Sequence, residues 1–397
     1  MAELLSLEDA QAAVLERVTV LAAERVPVAE AAGRILVAPA AAAVDLPPFP
    51  SSAMDGYAVR AADVPGRLSV MGRSSAGRPL ARRVGEGEAA GIATGAVVPD
   101  GADAVIPIEY VVEHDNEVEI PGGAQAGAHV RPPGGDIRRG DVVVEAGAVV
   151  SPARLGALAA AGVAEVACGG RPRVAVAATG TELRPPGAEL EPGQIYEANI
   201  AALAAAARSA GASVELLPPA ADDEVAHRAL LERGLEADVL VTSGGVSVGP
   251  HDLVRAVARE LGVEEVFWRV AVKPGKPVSF GLRGRTLVFG LPGNPVSALV
   301  GFELFVRPAL LALQGAAVPG PHYLVGTLAA DVRRNGERDE LVRARRELAP
   351  DRILLRPVVG QESHMIARAA AADALVLVER GEGQVPAGSS VRYLALG

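Results

Sequence analysis

The sequence predicts a multidomain α/β protein: a doubly wound, mostly parallel α/β domain, two small β domains and an N-terminal α+β segment. Three observations predict it. Residues from about 172 to 313 alternate apolar strand-like runs with helical ones, the pattern of a mostly parallel sheet covered on both faces. The stretch from about 57 to 140 and the last 75 or so residues instead read as short apolar runs between Gly, Pro and Asp clusters. Finally, 397 residues that are 50% apolar are more than one core requires. The expected division is an N-terminal/linker α+β domain made of 1–44 and 141–170, an inserted β domain at 45–140, the α/β domain at 171–318 and a C-terminal β domain at 319–397.

Taken in order, 6–21 reads as a helix with Ser6 as N-cap, Asp9 three residues on, and Val14, Leu15, Val18 and Leu21 at helical spacing. A short helix and strand follow to about Val44. Asp45-Leu46-Pro47-Pro48-Phe49-Pro50 should run extended, because each proline restricts itself and its predecessor. The runs 104–108 and 117–120 belong to the small β domain. Ser151-Pro152 caps an alanine-rich helix ending at Gly162, with Pro at the first helical position. The α/β stretch then reads strand 174–178, helix 199–210, strand 214–217, helix 222–235, strand 239–242, helix 253–261, strands 266–270, 278–280 and 286–289, and a long helix 296–313. The C-terminal strands are 340–345, 353–356, 374–378 and 391–394.

Composition excludes several functions. Gly 45 and Pro 30 are spread through the chain, as in a folded, loop-rich protein. Aromatics at 3% argue against base-stacking platforms, and a formal charge of −10 argues against a polyanion partner, so no nucleic acid is expected. The one cysteine, Cys168, rules out an intramolecular disulfide framework and a Cys-rich zinc site. The start MAELLSLEDA has neither a basic nor an apolar leader, so the expected location is cytoplasmic, without a membrane. Only two of the 38 basic residues are lysine, Lys273 and Lys276, and both lie in Lys273-Pro274-Gly275-Lys276-Pro277. A compact ammonium enters a tight oxyanion pocket as a point charge, which a broad guanidinium cannot do.

Three Gly-rich turns follow strands of the α/β segment: Thr179-Gly180-Thr181-Glu182, Ser243-Gly244-Gly245-Val246-Ser247-Val248-Gly249 and Leu291-Pro292-Gly293-Asn294-Pro295. In a doubly wound sheet such turns fall at the carboxyl ends of strands, where backbone N–H groups and helix N-termini receive anions. None fits a Walker loop or the dinucleotide pattern. Together they point to a phosphate-bearing ligand. Glu182, Asp222, Asp223 and Asp252 fall on the same edge, and carboxylates beside phosphate loops suit Mg2+. Asp222 and Asp223 could equally cap a helix, and Asp252 could be a helix N-terminal charge. Ser52-Ala53-Met54-Asp55-Gly56-Tyr57-Ala58, Thr94-Gly95-Ala96 and Arg131-x-x-x-Gly135-Asp136 add polar groups on Gly-rich backbone. Arg343, Arg345 and Arg346 read as a solvated strand edge, followed by Ser363-His364 in a loop.

These segments together resemble the molybdopterin molybdenumtransferases, the molybdenum-inserting enzymes of molybdenum cofactor biosynthesis, and the equivalent C-terminal part of gephyrin. The matching stretches are 51–60 (SSAMDGYAVR), 93–106 (ATGAVVPDGADAVI), 130–136, 172–183 (PRVAVAATGTEL), 193–199 (GQIYEAN), 242–252 (TSGGVSVGPHD), 268–277 (WRVAVKPGKP) and 290–298 (GLPGNPVSA). The resemblance makes 171–318 a molybdopterin-binding domain. It implies that molybdate enters the dithiolene of adenylylated molybdopterin with Mg2+ present, and that AMP is released. It also implies an elongated homodimer, with the site between the α/β unit of one subunit and other units of its partner. Other cofactor-biosynthesis proteins and molybdoenzyme apoproteins are implied as further partners.

On this resemblance Glu182, Asp222 and Asp252 hold Mg2+ and the pyrophosphate end. Gly180, the Ser243, Gly244, Gly245, Ser247 and Gly249 loop, and Pro292, Gly293, Asn294 and Pro295 bind substrate. Lys273 and Lys276, with Arg269, stabilise molybdate and the charge on the leaving AMP. Asp55, Thr94 and Asp136 are carried over as catalytic positions, and Arg343 and Ser363 as an oxyanion pocket. The alternatives are a molybdopterin adenylyltransferase, which would resemble only about 172–310, and a non-catalytic pterin-binding scaffold.

Overall fold

The computed structural model describes residues 4–220, 223–245 and 253–396. The chain forms two compact units, one of Arg25–Ala32 with Ala38–Ala167, the other of Met1–Glu24, Gly33–Val37 and Cys168–Gly397.

The first unit is built on a six-stranded sheet in the order Ala104–Pro107, Gly56–Val59, Glu88–Ile92, Gly66–Ser74, Glu117–Ile120, Val112–Glu113. All pairs are antiparallel except Gly66–Ser74 with Glu88–Ile92. Side chains alternate across a strand, so neighbouring apolar residues serve opposite faces. Val59, Ala89 and Ile106 join one core cluster, while Ala58, Ala90 and Val105 join another. Burial on both faces explains why these strands read as unbroken apolar runs. In the same unit Ser151 caps the helix Pro152–Ala160 by accepting from the Arg154 N–H, with Pro at its start as expected.

In the second unit the α/β sheet runs Ser213–Leu216, Arg173–Ala178, Val239–Ser243, Thr286–Leu291, Ser279–Arg283, Glu264–Trp268. The first four strands are parallel, and Ser279–Arg283 runs antiparallel to both of its neighbours, Thr286–Leu291 and Glu264–Trp268. Along the strand Arg173–Ala178, Val174, Val176 and Ala178 pack with the helix Asn199–Ser209, while Ala175 and Ala177 pack with the helices Glu224–Gly234 and Leu253–Glu260. Helices therefore cover both faces, the doubly wound arrangement expected from the alternation. Asp223 caps its helix by accepting from the Ala226 N–H, so the capping reading holds for it.

Two elements differ from expectation for identifiable reasons. The N-terminal helix spans Leu7–Leu15, capped by Ser6, and stops short of Leu21. The β-branched Val18-Thr19-Val20 favours extended backbone, and the Leu21 N–H donates to the Leu313 carbonyl at 2.8 Å. The long helix, Pro295–Leu313, holds a π segment at Phe302–Val306. Pro308 has no N–H to give the Leu304 carbonyl, and the Gln11 side-chain amide of the N-terminal helix donates to that oxygen at 3.2 Å. Gln11→Ala orphans this acceptor and should destabilise the unit by about 1 kcal/mol in chemical denaturation. By length and composition alone Pro295–Leu313 could cross a membrane, but 72% of it is buried inside the protein as a core helix.

The C-terminal strands close a barrel. Asp339–Leu348 pairs with Ile353–Pro357 and with Ala374–Val378, and Tyr323–Leu328 and Ser390–Ala395 complete the ring. Leu328, Val342, Ala344, Leu355, Val376 and Tyr393 fill its interior. The expected C-terminal strands all fall within these five.

Candidate functional site

Across the α/β sheet Ala178, Ser243 and Leu291 are neighbours in register, so the three Gly-rich turns leave the sheet at one edge. Farther across, Gly290 pairs with Ser279 and Ser279 with Trp268. The connection 269–278, which carries Arg269, Lys273 and Lys276, therefore emerges at the same edge. Sequence spacing alone could not place the lysines beside the Gly turns; the two antiparallel strands do so.

Backbone bonds lock the turns together. The Thr179 N–H donates to Ser243 O at 3.1 Å, Gly244 N–H to Leu291 O at 3.0 Å and Gly180 N–H to Ala220 O at 3.3 Å. Gly244 has φ +92°, and a Cβ there would lie 2.8 Å from Thr179 O, so only glycine fits. Ser243, expected to bind substrate, is buried instead: its Oγ donates to Pro292 O at 3.2 Å and accepts from the Asn199 amide at 2.7 Å. That amide also donates to Gly293 O at 2.8 Å. Ser243 and Asn199 thus join two turns and a helix start. Asn199 closes the GQIYEAN stretch, and nothing in its local sequence signals this bridging role.

A cleft of about 610 Å³ opens at this edge, bounded by Thr179, Glu182, Asn199, Gly245, Pro277 and Asn294 among others. Its size suits a small-molecule ligand. Glu182 is exposed, and its carboxylate lies over Gly180, where a Cβ would sit 2.5 Å from Oε2. Pro292 and Pro295 line the cleft with Gly293. The Asn294 amide donates to Ser363 Oγ at 2.9 Å, and the Val296 N–H donates to Ser363 O at 3.1 Å. The structure thus brings Asn294 and Ser363 together at the cleft, beside His364.

Arg343 requires a correction. Val342 and Ala344 face the barrel interior, so Arg343 shares a face with Leu341, which belongs to the α/β core cluster. That face is covered, and Arg343 is only 2% exposed rather than a solvated edge. Its guanidinium donates to the carbonyls of Gly360, Glu362 and Met365 and to the Gln361 side-chain oxygen. Burial pushes its pKa below the ordinary arginine value. Arg343 therefore holds the loop that carries Ser363, with its donors committed there rather than offered to an oxyanion. Arg345 and Arg346 are exposed, as expected.

The lysine loop is anchored from the barrel. Val272–Lys273 pairs in parallel with Asp339 and Glu340, and Lys273 Nζ lies 3.0 Å from Glu340 Oε1, a carboxylate only 11% exposed. The only sequence signal of Glu340 is a carboxylate at the start of a strand whose next residues are Leu341 and Val342. The Val270 N–H donates to Lys276 O at 3.0 Å, closing the loop. Among the described residues no carboxylate lies within ion-pair distance of Lys276. Arg269 adopts φ +74°, a left-handed conformation costing a non-glycine residue about 1–2 kcal/mol. Its guanidinium carbon lies 3.8 Å from the Trp268 ring centroid, and that of Arg255 lies at the same distance. Two guanidiniums that close require one on each face of the indole.

In the other unit, 93–97, 51–53 and 129–131 lie side by side. Ser52 N–H donates to Ala96 O, Gly95 N–H to Ser52 O, and Ala53 N–H to His129 O. This places Asp55 against Thr94, whose N–H and hydroxyl donate to the two carboxylate oxygens at 3.1 and 3.0 Å. Those two bonds, with a smaller contribution from Arg73, hold the Asp55 carboxyl below its ordinary pKa. The pairing is complete above the usual carboxylate range and is lost as pH falls through the lowered value. Thr94→Val should therefore raise the Asp55 titration midpoint in a carboxyl NMR titration, with the backbone donor left in place. Asp136 is exposed, in a loop tied to 45–47 by its N–H to Leu46 O and by Gly134 N–H to Pro47 O.

Ser247, Gly249, Asp222 and Asp252 lie outside the described residues. Among the described residues no group of three or more His, Cys, Asp or Glu is gathered to hold a metal. Mg2+ typically takes one or two carboxylates plus phosphate oxygens. Glu182, open beside an anion-receptive turn, fits that donor set.

Residues 5–162 match the MoeA N-terminal region (domain I and II), 175–312 the probable molybdopterin binding domain and 325–396 the MoeA C-terminal region (domain IV). The chain is 41% identical over 332 residues to molybdopterin molybdenumtransferase 2 of Mycobacterium tuberculosis, covering 80% of this chain and 81% of that one. It is 35% identical over 398 residues to the molybdopterin molybdenumtransferase of Haemophilus influenzae, covering 98% of each. A molybdopterin biosynthesis moeA protein from Pyrococcus horikoshii superposes with a TM-score of 0.85 at 26% identity, over 99% of this chain and 100% of that one. A second Pyrococcus moeA structure gives 0.82 at 34% identity, over 99% of each chain. With its motifs in order, its three regions matched and its fold shared end to end, the chain belongs to the molybdopterin molybdenumtransferase family.

Proposed function

We propose that this protein transfers molybdate into adenylylated molybdopterin in a Mg2+-dependent reaction that releases AMP. The observation that carries the reading is the sheet edge itself. Three anion-receptive turns, the Glu182 carboxylate and the chain's two lysines leave the same ends of neighbouring strands. A phosphoanhydride and a small oxoanion both need what that edge offers, namely backbone N–H groups and fixed cations.

On this reading Gly180, Gly244 and Gly245 let the backbone approach the pterin phosphate, and the Asn199–Ser243 bonds keep the turns from moving apart. Mg2+, when bound, supplies positive charge to the anhydride oxygens. Glu182 would hold it, with Asp222 and Asp252 as the further carboxylates proposed. Lys276 offers an ammonium uncommitted to any described carboxylate, suited to charge that develops as AMP leaves. Lys273, held by Glu340, is aimed by the barrel. Arg269 completes the cationic side. Asp55, whose carboxyl pKa the Thr94 bonds lower, is proposed, with Thr94 and Asp136, as part of the reaction machinery. The protein is proposed to act as a homodimer, for which light scattering should return twice the 40.4 kDa chain mass.

The test mixes purified protein with adenylylated molybdopterin, Mg2+ and molybdate. AMP release that requires molybdate supports the reading. In a parallel mixture of molybdopterin, ATP and Mg2+, pyrophosphate release without molybdate would indicate an adenylyltransferase, and retention of ligand without turnover in either mixture would indicate a scaffold.

A further inference from the structure

We infer that Trp268 is a positioning residue whose indole holds the Arg269 guanidinium in place to receive a small tetrahedral oxoanion. The inference builds on the proposed function for the identity of the anion; its geometric basis is independent. Three observations support it. Arg269 holds a left-handed backbone conformation, and strain at a non-glycine residue persists only where surrounding contacts impose it. Here the strained residue lays a planar cation on an aromatic face, an arrangement in which guanidinium stacks better than ammonium.

The second observation is an asymmetry of charge. Of the two guanidiniums on the indole, Arg255 is neutralised by Glu265 through two bonds of 2.6 and 2.7 Å. Arg269 has no carboxylate within ion-pair distance among the described residues. Among the described residues, one side of the stack is thus an anchored pair and the other a cation with no carboxylate against it. The third is position: Trp268 is level with Ser279 and Gly290 in the sheet, so Arg269 leaves at the edge that carries the lysine loop. A guanidinium fixed there presents two parallel donors to an oxoanion, beside the point charges of the lysines.

Trp268 is the chain's single tryptophan, so tryptophan emission comes from this residue alone. Sodium molybdate is titrated into the full-length protein while emission is followed, with equilibrium dialysis giving affinity and sulfate as competitor. The expected result is a saturable emission change in the wild type that Arg269→Ala abolishes. Trp268→Leu should weaken molybdate binding by about fivefold or more, and Trp268→Phe should recover most of it, at an unchanged thermal midpoint. Equal affinity in wild type and Trp268→Leu, or an emission unmoved while dialysis shows molybdate bound, overturns the inference alone. A wild type that binds no molybdate defeats the oxoanion reading and this inference with it. Because the emission and dialysis of the wild type and Arg269→Ala need no tryptophan variant, a poorly folding Trp268→Leu leaves the test intact.

Discussion

Lys276→Ala should lower the rate of molybdate-dependent AMP release by about 10²–10³-fold, the usual loss when one preorganised donor to transition-state charge is removed. Binding of adenylylated molybdopterin should change little, because the proposed function gives its phosphate to the Gly-rich turns and not to the lysine. An effect confined to turnover marks an interaction made chiefly in the transition state. Lys273→Ala should also lose turnover, but its reading is less clean: Glu340, nearly buried, would be left without its cation. Single-turnover AMP release with equilibrium pterin binding separates the two contributions. Equal loss of binding with unchanged turnover in both variants would show that the lysines hold the pterin nucleotide and do not act on the reaction.

Gly56→Ala should be the most damaging small substitution in the unit that carries Asp55. A Cβ at Gly56 would lie 1.9 Å from the Ile106 carbonyl oxygen, 2.9 Å from its carbon and 3.0 Å from the Ile108 nitrogen. All three are backbone atoms, so no side-chain rotation relieves the clash, and the strand Ala104–Pro107 must move away from Gly56–Val59. The cost should be about 3 kcal/mol or more, at the upper end for overpacking. It also reaches Asp55, whose O accepts from the Ile108 N–H and whose carboxylate meets Thr94 from that position. Thermal unfolding should show an early transition for this unit, and the Asp55 titration should move towards the ordinary carboxylate value. A melting profile like the wild type's would contradict the assigned strand spacing.

Much of the site was legible because its chemistry is concentrated in short turns. Strand-turn-helix alternation gives the sheet edge, and glycine patterns mark the turns that lock together there. What escaped the sequence depends on contacts distant along the chain. Arg343 reads as exposed because basic residues alternate at 343 and 345, whereas the α/β core covers that face of the barrel. Ser243 looks like a ligand group until its hydroxyl is found between Asn199 and Pro292. Glu340 and Lys273 are 67 residues apart and meet only because one short strand pairs with the barrel. The early end of the first helix and the Gln11–Leu304 bond arise in the same way, from tertiary partners that override local propensity.

Anomalous diffraction at the molybdenum edge, from crystals soaked in molybdate, tests directly whether oxoanion and anhydride share one crevice. A peak within contact distance of Lys273, Lys276 or Arg269, on the cleft that holds Glu182, is the predicted result. A fully occupied peak elsewhere on the protein, with that cleft free of molybdenum, would contradict the account.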